Sequence, residues 1–165
     1  MGGRTAEPAV RTIPKGRPVG VSPGRVLVVL SGVVRVEAVH DDGTASIVGF
    51  AGPGEAVVCH RDGVFHPDYV AQTGVTAAVH ELDQENPVET ALARRLAEME
   101  TWLAMLSERG VAGRLRAFRR LLAHGSAERR AALRSLTQEE LGAVTLSSRA
   151  SVARALRGER ARERS

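Results

Sequence analysis

The apolar residues of this chain change their spacing once, near residue 84. Up to Glu81 they come in short β-branched runs broken by turn residues, and from Val88 onward they recur at every third or fourth position. Strands are therefore expected first and helices second, an α+β arrangement. In the front half, RVLVVLSG (25–32) reads as a buried strand ending at Gly32, and VVRVEAV (33–39) alternates as a half-buried strand does. HDDGTA (40–45) supplies a hairpin turn at Asp42-Gly43, and SIVGF (46–50) is the return strand. AGPGEAV (51–57) is read as a turn-rich link through Pro53 and Gly54. After the polar loop CHRDGVFHPD (59–68), YVAQTGVTAAVHEL (69–82) supplies two more strands around Gly74. Short strands at this spacing predict a compact antiparallel barrel or roll.

The helical half opens with NPVETALARRLAEMETWLAMLSERG (86–110), with Asn86 as N-cap, Pro87 at the first helical position and Gly110 as a left-handed C-cap. Val88, Leu92, Leu96, Met99, Leu103 and Leu106 recur at steps of four, four, three, four and three, a seam suited to a parallel coiled-coil dimer. The other reading is a helix packed on its own β-roll, a role open to Trp102 and Met105 beside the seam. Next, AGRLRAFRRLLAH (112–124) is amphipathic: Leu115, Phe118, Leu121 and Leu122 are expected inward, and Arg114, Arg116, Arg119 and Arg120 outward. AERRAALRSL (127–136) reads as a short helix or turn.

The last stretch, LTQEELGAVTLSSRASVARALRGER (136–160), reads as two short helices around a tight turn. Thr137 and Glu140 form a capping box at the start of the first, and Ser147 or Ser148 caps the second. Leu141 and Val144 should be buried in the first helix, where Gly142 lets another helix approach closely. Val152, Ala155 and Leu156 should line the inner face of the second. Ser148, Arg149, Ser151 and Arg154 are left outward, the geometry by which a helix-turn-helix reaches base edges. Arginine suits guanine O6 and N7 bidentately, and serine suits phosphate.

Charge points the same way. Residues 1–92 carry seven basic and eleven acidic side chains, whereas residues 93–165 carry sixteen arginines and eight glutamates. A basic back half on an acidic front half suits a polyanion partner. Arginine bias also follows from a GC-rich genome.

Other function classes find little support. No run of apolar residues is long enough for a membrane span, and the N-terminus has no apolar segment of the secretory type. The single cysteine, Cys59, excludes an internal disulfide framework, a thiolate zinc site and a cysteine-held iron–sulfur cluster within one chain. A cytoplasmic setting is expected. His40, His60, His66 and His80 lie in the β half without a His-x-His pair, and they are read as solvated loop residues, not as metal ligands. No nucleophile–base set, phosphate-cradling loop or carboxylate pair stands out, so no enzyme, metal or cofactor is expected.

In order, a glycine-punctuated β-roll, a long apolar-seamed helix and a terminal helix-turn-helix resemble the Crp–Fnr family of transcription regulators, relatives of the cyclic-AMP receptor protein. The stretches that carry the resemblance are VVLSGVVRVEAVHDDGTASIVGFAGPGEAV, LARRLAEM and LTQEELGAVTLSSRASVARALR, which together span most of residues 13–158. The most specific are Thr137-Gln138-Glu139-Glu140-Leu141 and the row Ser148, Arg149, Ser151, Val152 and Arg154. The front half is similar to versions from the Deinococcus–Thermus group. The resemblance implies a β-roll sensor-like domain over 1–84, a dimerisation helix over 85–110 and a helix-turn-helix domain over 111–165. It implies a homodimer on double-stranded DNA, with Arg149 and Arg154 contacting bases or phosphates beside Ser148 and Ser151. Arg157, Thr137 and Gln138 complete the expected DNA-facing set, Leu92, Leu96, Met99, Leu103 and Leu106 the dimer seam, and RNA polymerase is a candidate further partner.

Four departures from the family pattern shape what is expected. Gly54-Glu55 matches the pair that holds a cyclic-nucleotide phosphate. The later Arg-Ser or Arg-Thr is replaced by His66-Pro67-Asp68-Tyr69, and Met99 and Glu100 stand where adenine is contacted, so Gly54 and Glu55 are expected to be vestigial and cyclic AMP not to bind. The cysteines of the oxygen-sensing branch are also absent. Within the helix-turn-helix, Leu146 takes a turn position often held by glycine, and Ala150 replaces an acidic base reader, with an expected cost of about 1–3 kcal/mol per lost contact. Finally, GERARERS (158–165) stands where a β-hairpin wing is expected, and it reads as a frayed charged tail, the wing reduced or missing. The rival readings are a degenerate ligand- or protein-interaction module that no longer binds DNA, and a metal-bearing β-roll enzyme.

Overall fold

The computed structural model describes residues 8–58, 67–82, 88–124 and 126–162. Seven strands come first: β1 (Ala9–Ile13), β2 (Arg25–Ser31), β3 (Val34–Val39), β4 (Ala45–Ala51), β5 (Ala56–Val58), β6 (Asp68–Ala71) and β7 (Val75–Glu81). They form two antiparallel sheets, ordered β1-β7-β2-β5 and β4-β3-β6. Five helices follow: α1 (Val88–Leu106), α2 (Gly110–His124), α3 (Ala127–Arg134), α4 (Gln138–Val144) and α5 (Arg149–Arg162).

The sheets enclose one apolar cluster that includes Leu27, Val29, Val34, Val57 and Val75. Strand β2 is buried on both faces, Val26 and Val28 packing outward against Val88 and Ala91 of α1. Its run of apolar residues without alternation reflects that double burial. The expected hairpin closes at Asp42-Gly43: the His40 N–H donates to Thr44 O, the Thr44 N–H donates to Asp42 Oδ1, and Gly43 sits at φ +80°. Hydrogen bonds from the Thr44 hydroxyl and then the Thr44 N–H hold the exposed Asp42 carboxyl below its ordinary value. Two strands differ from expectation. β1 is an additional edge strand, and Ala56–Val58, read as part of a link, pairs with β2.

Helix α1 has two apolar faces. Val88, Ala91, Trp102 and Met105 are buried against the rest of the chain. Leu96, Met99 and Leu103 of the seam remain 60%, 48% and 63% exposed, while Leu92 and Leu106 are half-buried. Both readings of this helix thus have residues assigned to them. The expected caps differ in outcome: Asn86 and Pro87 lie outside the described residues, and α1 ends at Leu106, where the Ser107 backbone and hydroxyl both donate to Leu103 O. Gly110 does take a left-handed φ of +69°, but as the first residue of α2 and not as the cap of α1.

A second cluster crosses from the roll into the helices. Val33, Ile47 and Phe50 meet Trp102 and Met105 of α1, Phe118 of α2, Leu133 of α3, Leu136 of the link that follows it and Val144 of α4. Trp102 stands edge-on to Phe50 at 5.7 Å and to Phe118 at 6.0 Å. The helical unit is therefore docked on the β4-β3-β6 sheet. Two further expectations are corrected. Arg114 is half-buried, not outward, and donates to Ser147 Oγ at 3.1 Å. His80 is buried in β7, not a solvated loop residue: it pairs with Val26 of β2, on the face of the sheet that α1 covers. His40 is exposed and within 2.7 Å of Ser46 Oγ, whereas His60, His66 and Cys59 lie outside the described residues. Among the described residues no His, Cys, Asp and Glu form a metal-sized group, and no helix is long and apolar enough to cross a membrane.

Candidate nucleic-acid interface

Helix α4 starts as the capping box predicts. The Glu140 N–H donates to Thr137 Oγ1 at 3.1 Å, and the Thr137 N–H donates to Glu140 Oε2 at 2.7 Å. The other carboxylate oxygen of Glu140 accepts from Arg35 at 3.0 Å and from Gln72 at 3.3 Å, both on the roll. One side chain thus starts the helix and fastens it to the sheet. Burial alone would push the Glu140 carboxyl up, but the hydrogen bonds from Thr137 and Gln72 and the Arg35 charge together carry it below its ordinary value. Thr137 and Gln138 themselves are exposed.

The turn into α5 is set by two residues. A Cβ on Gly142 would meet Ser147 O at 2.6 Å, so the chain after the turn folds directly over α4 at that point. The close neighbours of Gly142 are the turn backbone at Ser147 and the start of α5 at Ser148 and Arg149, so the helix that approaches it does so by its N-terminal end. Leu146 sits at φ +49°, the only left-handed non-glycine among the described residues, and is 54% exposed. The expectation of a left-handed leucine there is met. Thr145, fully buried, donates its hydroxyl to Leu141 O at 2.7 Å.

Ser148, not Ser147, caps α5: its hydroxyl oxygen accepts from the Ser151 N–H at 3.2 Å. Val152 is fully buried, while Ala155 and Leu156 are half-buried. This packing fixes which face of α5 looks outward. Ser148, Arg149, Arg154 and Arg157 are exposed, and Ser151 is half-buried and accepts from Arg154 Nη2 at 3.3 Å. The side chains of Arg149 and Arg157 form no hydrogen bond or ion pair with other described residues. Ala150 is exposed beside Arg149 and offers no acceptor.

The helix continues through GERAR to Arg162, where a frayed tail was expected. Glu159 explains the difference: its Oε2 accepts from Arg119 Nη1 of α2 at 2.7 Å, and its side chain is only 12% exposed. Arg160, read as part of that tail, stays exposed on the same helix and extends the arginine row. A pairing forty residues apart leaves no local trace that could have placed it.

Gly54 and Glu55 sit against arginines of α1 and α3, and Glu55 lines a cavity of about 330 Å³ with Arg94, Glu98 and Arg129. Glu55 pairs with Arg129 of α3 at 3.0 Å, and the same guanidinium pairs with Glu98 of α1. A Cβ on Gly54 would collide with Arg94. Burial pushes the Glu55 carboxyl above its ordinary value despite the Arg129 charge. The residues expected to be vestigial are thus the roll's half of an internal ion cluster.

No protein-family model and no curated protein matches the chain. Solved structures do. A CRP-family transcriptional regulator of Thermus thermophilus superposes with a TM-score of 0.74 at 17% identity, over 93% of this chain and 85% of that one. A CRP/FNR-family transcriptional regulator of the same organism gives 0.68 at 23% identity, over 94% and 87%. The c-di-GMP responsive global regulator CLP of Xanthomonas campestris gives 0.70 at 19%, over 96% and 89%. From the roll through the seam helix to the capped helix pair, the chain has the fold of the CRP/FNR-family transcriptional regulators.

Proposed function

We propose that the chain is a sequence-specific, double-stranded-DNA-binding transcription regulator of the Crp–Fnr type, working as a homodimer and without cyclic AMP. The observation that carries the reading is α5 itself: Val152 locks one face inward, which leaves Ser148, Arg149, Arg154 and Arg157 in solvent at the start and middle of a helix. Thr137 and Gln138, exposed at the start of α4, take phosphate contacts that set the register. Leu96, Met99 and Leu103, with Leu92 and Leu106 beside them, form the seam that pairs two copies and spaces their α5 helices about one DNA turn apart. The engagement of Glu55 by Arg129 supports independence from cyclic AMP. The neighbours' printed descriptions as transcriptional regulators support the class and weigh against an enzyme.

The test is DNA binding at several salt concentrations. The affinity should fall steeply with salt, and Arg154→Ala or Arg157→Ala should weaken binding to all sequences and lower the log–log salt slope by about 1 each. Arg149→Ala should cost about 1–3 kcal/mol and relax preference at one base position. Salt-independent binding, or binding unchanged in all three variants, overturns the reading. A second reading, an interaction module that no longer binds DNA, is favoured by the bare methyl of Ala150 beside Arg149. It requires an intact dimer that leaves labelled duplex free even at low salt.

A further inference from the structure

Helix α5 is held by little apolar contact. Val152 is its one buried side chain among the described residues, and the other described side chains on it are half-buried or exposed. Leu156, about one turn further on, lines a cavity of about 400 Å³ together with Leu115, Phe118 and Leu122 of α2. The helix thus rests on one apolar anchor, with space beneath the turn that follows. One anchor fixes where a helix touches its support and leaves its tilt to other contacts.

Those contacts are polar, and α2 supplies them near both ends of α5. Ahead of the helix, Arg114 Nη2 donates to Ser147 Oγ at 3.1 Å. Near its far end, Arg119 Nη1 donates to Glu159 Oε2 at 2.7 Å. The two ties differ in what they leave behind when broken. The Ser147 hydroxyl also donates to Thr145 O at 3.0 Å, so the turn keeps a hydrogen bond without Arg114. Glu159 has no such reserve. Its side chain is 12% exposed, its Oε1 is buried without a partner, and Arg119 is its one ion-pair partner among the described residues. Arg119 is half-exposed and keeps its hydration if the pair opens. Loss of the arginine therefore strands a buried carboxylate, whereas loss of the carboxylate strands nothing.

We infer that Arg119 and Glu159 form a positioning pair for DNA reading: they set the tilt of α5, and so the aim of Arg149, Arg154 and Arg157, while touching no DNA themselves. The inference rests on the reading of α5 as the DNA-facing helix. A stranded Glu159 regains water by swinging the C-terminal half of α5 away from α2. Base edges are read through directional hydrogen bonds, whereas attraction to phosphate depends mainly on charge. A misaimed helix thus loses sequence preference first and general affinity last.

The test compares the full chain and its variants on a duplex selected from random DNA and on a scrambled duplex of the same length, each at several salt concentrations. Arg119→Ala should lower the ratio of the two affinities about tenfold or more and leave the salt slope on the scrambled duplex unchanged. Arg119→Lys should keep part of the ratio. Glu159→Gln should lower it by no more than about threefold. Adding Glu159→Gln to Arg119→Ala should recover part of the loss, since the amide carries no charge to strand. In the DNA-free protein, amide hydrogen exchange over residues 153–162 should quicken about tenfold in Arg119→Ala, against unchanged exchange in α4. Circular dichroism checks that each variant is folded. A salt slope lower by about 1 in Arg119→Ala overturns the proposal, because the arginine is then itself a phosphate contact. So does a double variant no better than Arg119→Ala, or unchanged exchange over 153–162. Wild-type protein that binds no duplex ends the reading of α5 and this role with it. Wild-type binding with an unmoved ratio in Arg119→Ala ends this role alone.

Discussion

Leu146 keeps its backbone at φ +49° with half of its surface in solvent. An L-residue in this region costs about 1–2 kcal/mol, and glycine returns about 0.5–1 kcal/mol of that as backbone entropy. Leu146→Gly is therefore expected to stabilise the protein by about 0.5–1 kcal/mol, seen as a higher denaturant midpoint at constant slope. Gly142→Ala should do the reverse by about 1–3 kcal/mol, because the new methyl lands on the Ser147 carbonyl. A lower midpoint for the first variant, or no change for the second, would mean that the turn relaxes in ways its packing does not suggest. Leu146 was legible in the sequence because its neighbours fix the turn within a few positions. The burial of Arg114 was not: its serine partner is thirty-three residues away.

At the scale of the element, Glu140 and Glu55 titrate with opposite signs. The folded-state pKa of Glu140 is depressed, so its contribution is present above the ordinary glutamate value of about 4.3 and is lost as pH falls through the lower folded value. That of Glu55 is raised, so its contribution is full below the ordinary value and is lost as pH rises through the higher folded one. Melting temperature followed from neutral into acid should show both effects. Glu140→Gln should flatten the acid limb, and Glu55→Gln should remove the decline that begins above the ordinary value. If both variants track the parent curve, the two carboxylates are not placed as described. The capping box was visible beforehand because its partners stand only three positions apart. The ion cluster was invisible because Glu55, Glu98 and Arg129 come from three separate elements. Strands β1 and β5 escaped for a different reason: one has four exposed positions out of five, and the other is three residues long.

Across the whole molecule, the cluster joining Phe50, Trp102, Phe118, Leu136 and Val144 ties the front half to the back. The division of the chain by periodicity, legible as a change in apolar spacing, thus does not imply two independent cores. Unfolding followed by Trp102 fluorescence and by far-ultraviolet circular dichroism should give one coincident transition. Two separated transitions would show that the helical unit stands alone and that its contacts to β4 are weak. The seam of α1 was readable as a pattern, and so was the packing role open to Trp102 and Met105; what the sequence did not show was that β4, through Ile47 and Phe50, is what lies beneath them.

Because the carboxylate that starts α4 is also gripped by Arg35 and Gln72, the α4–α5 pair is not a portable cassette. Grafted onto another scaffold, it would arrive with an anion shaped for a host that is no longer there. Over generations, the sheet and the hairpin of helices are constrained to drift together.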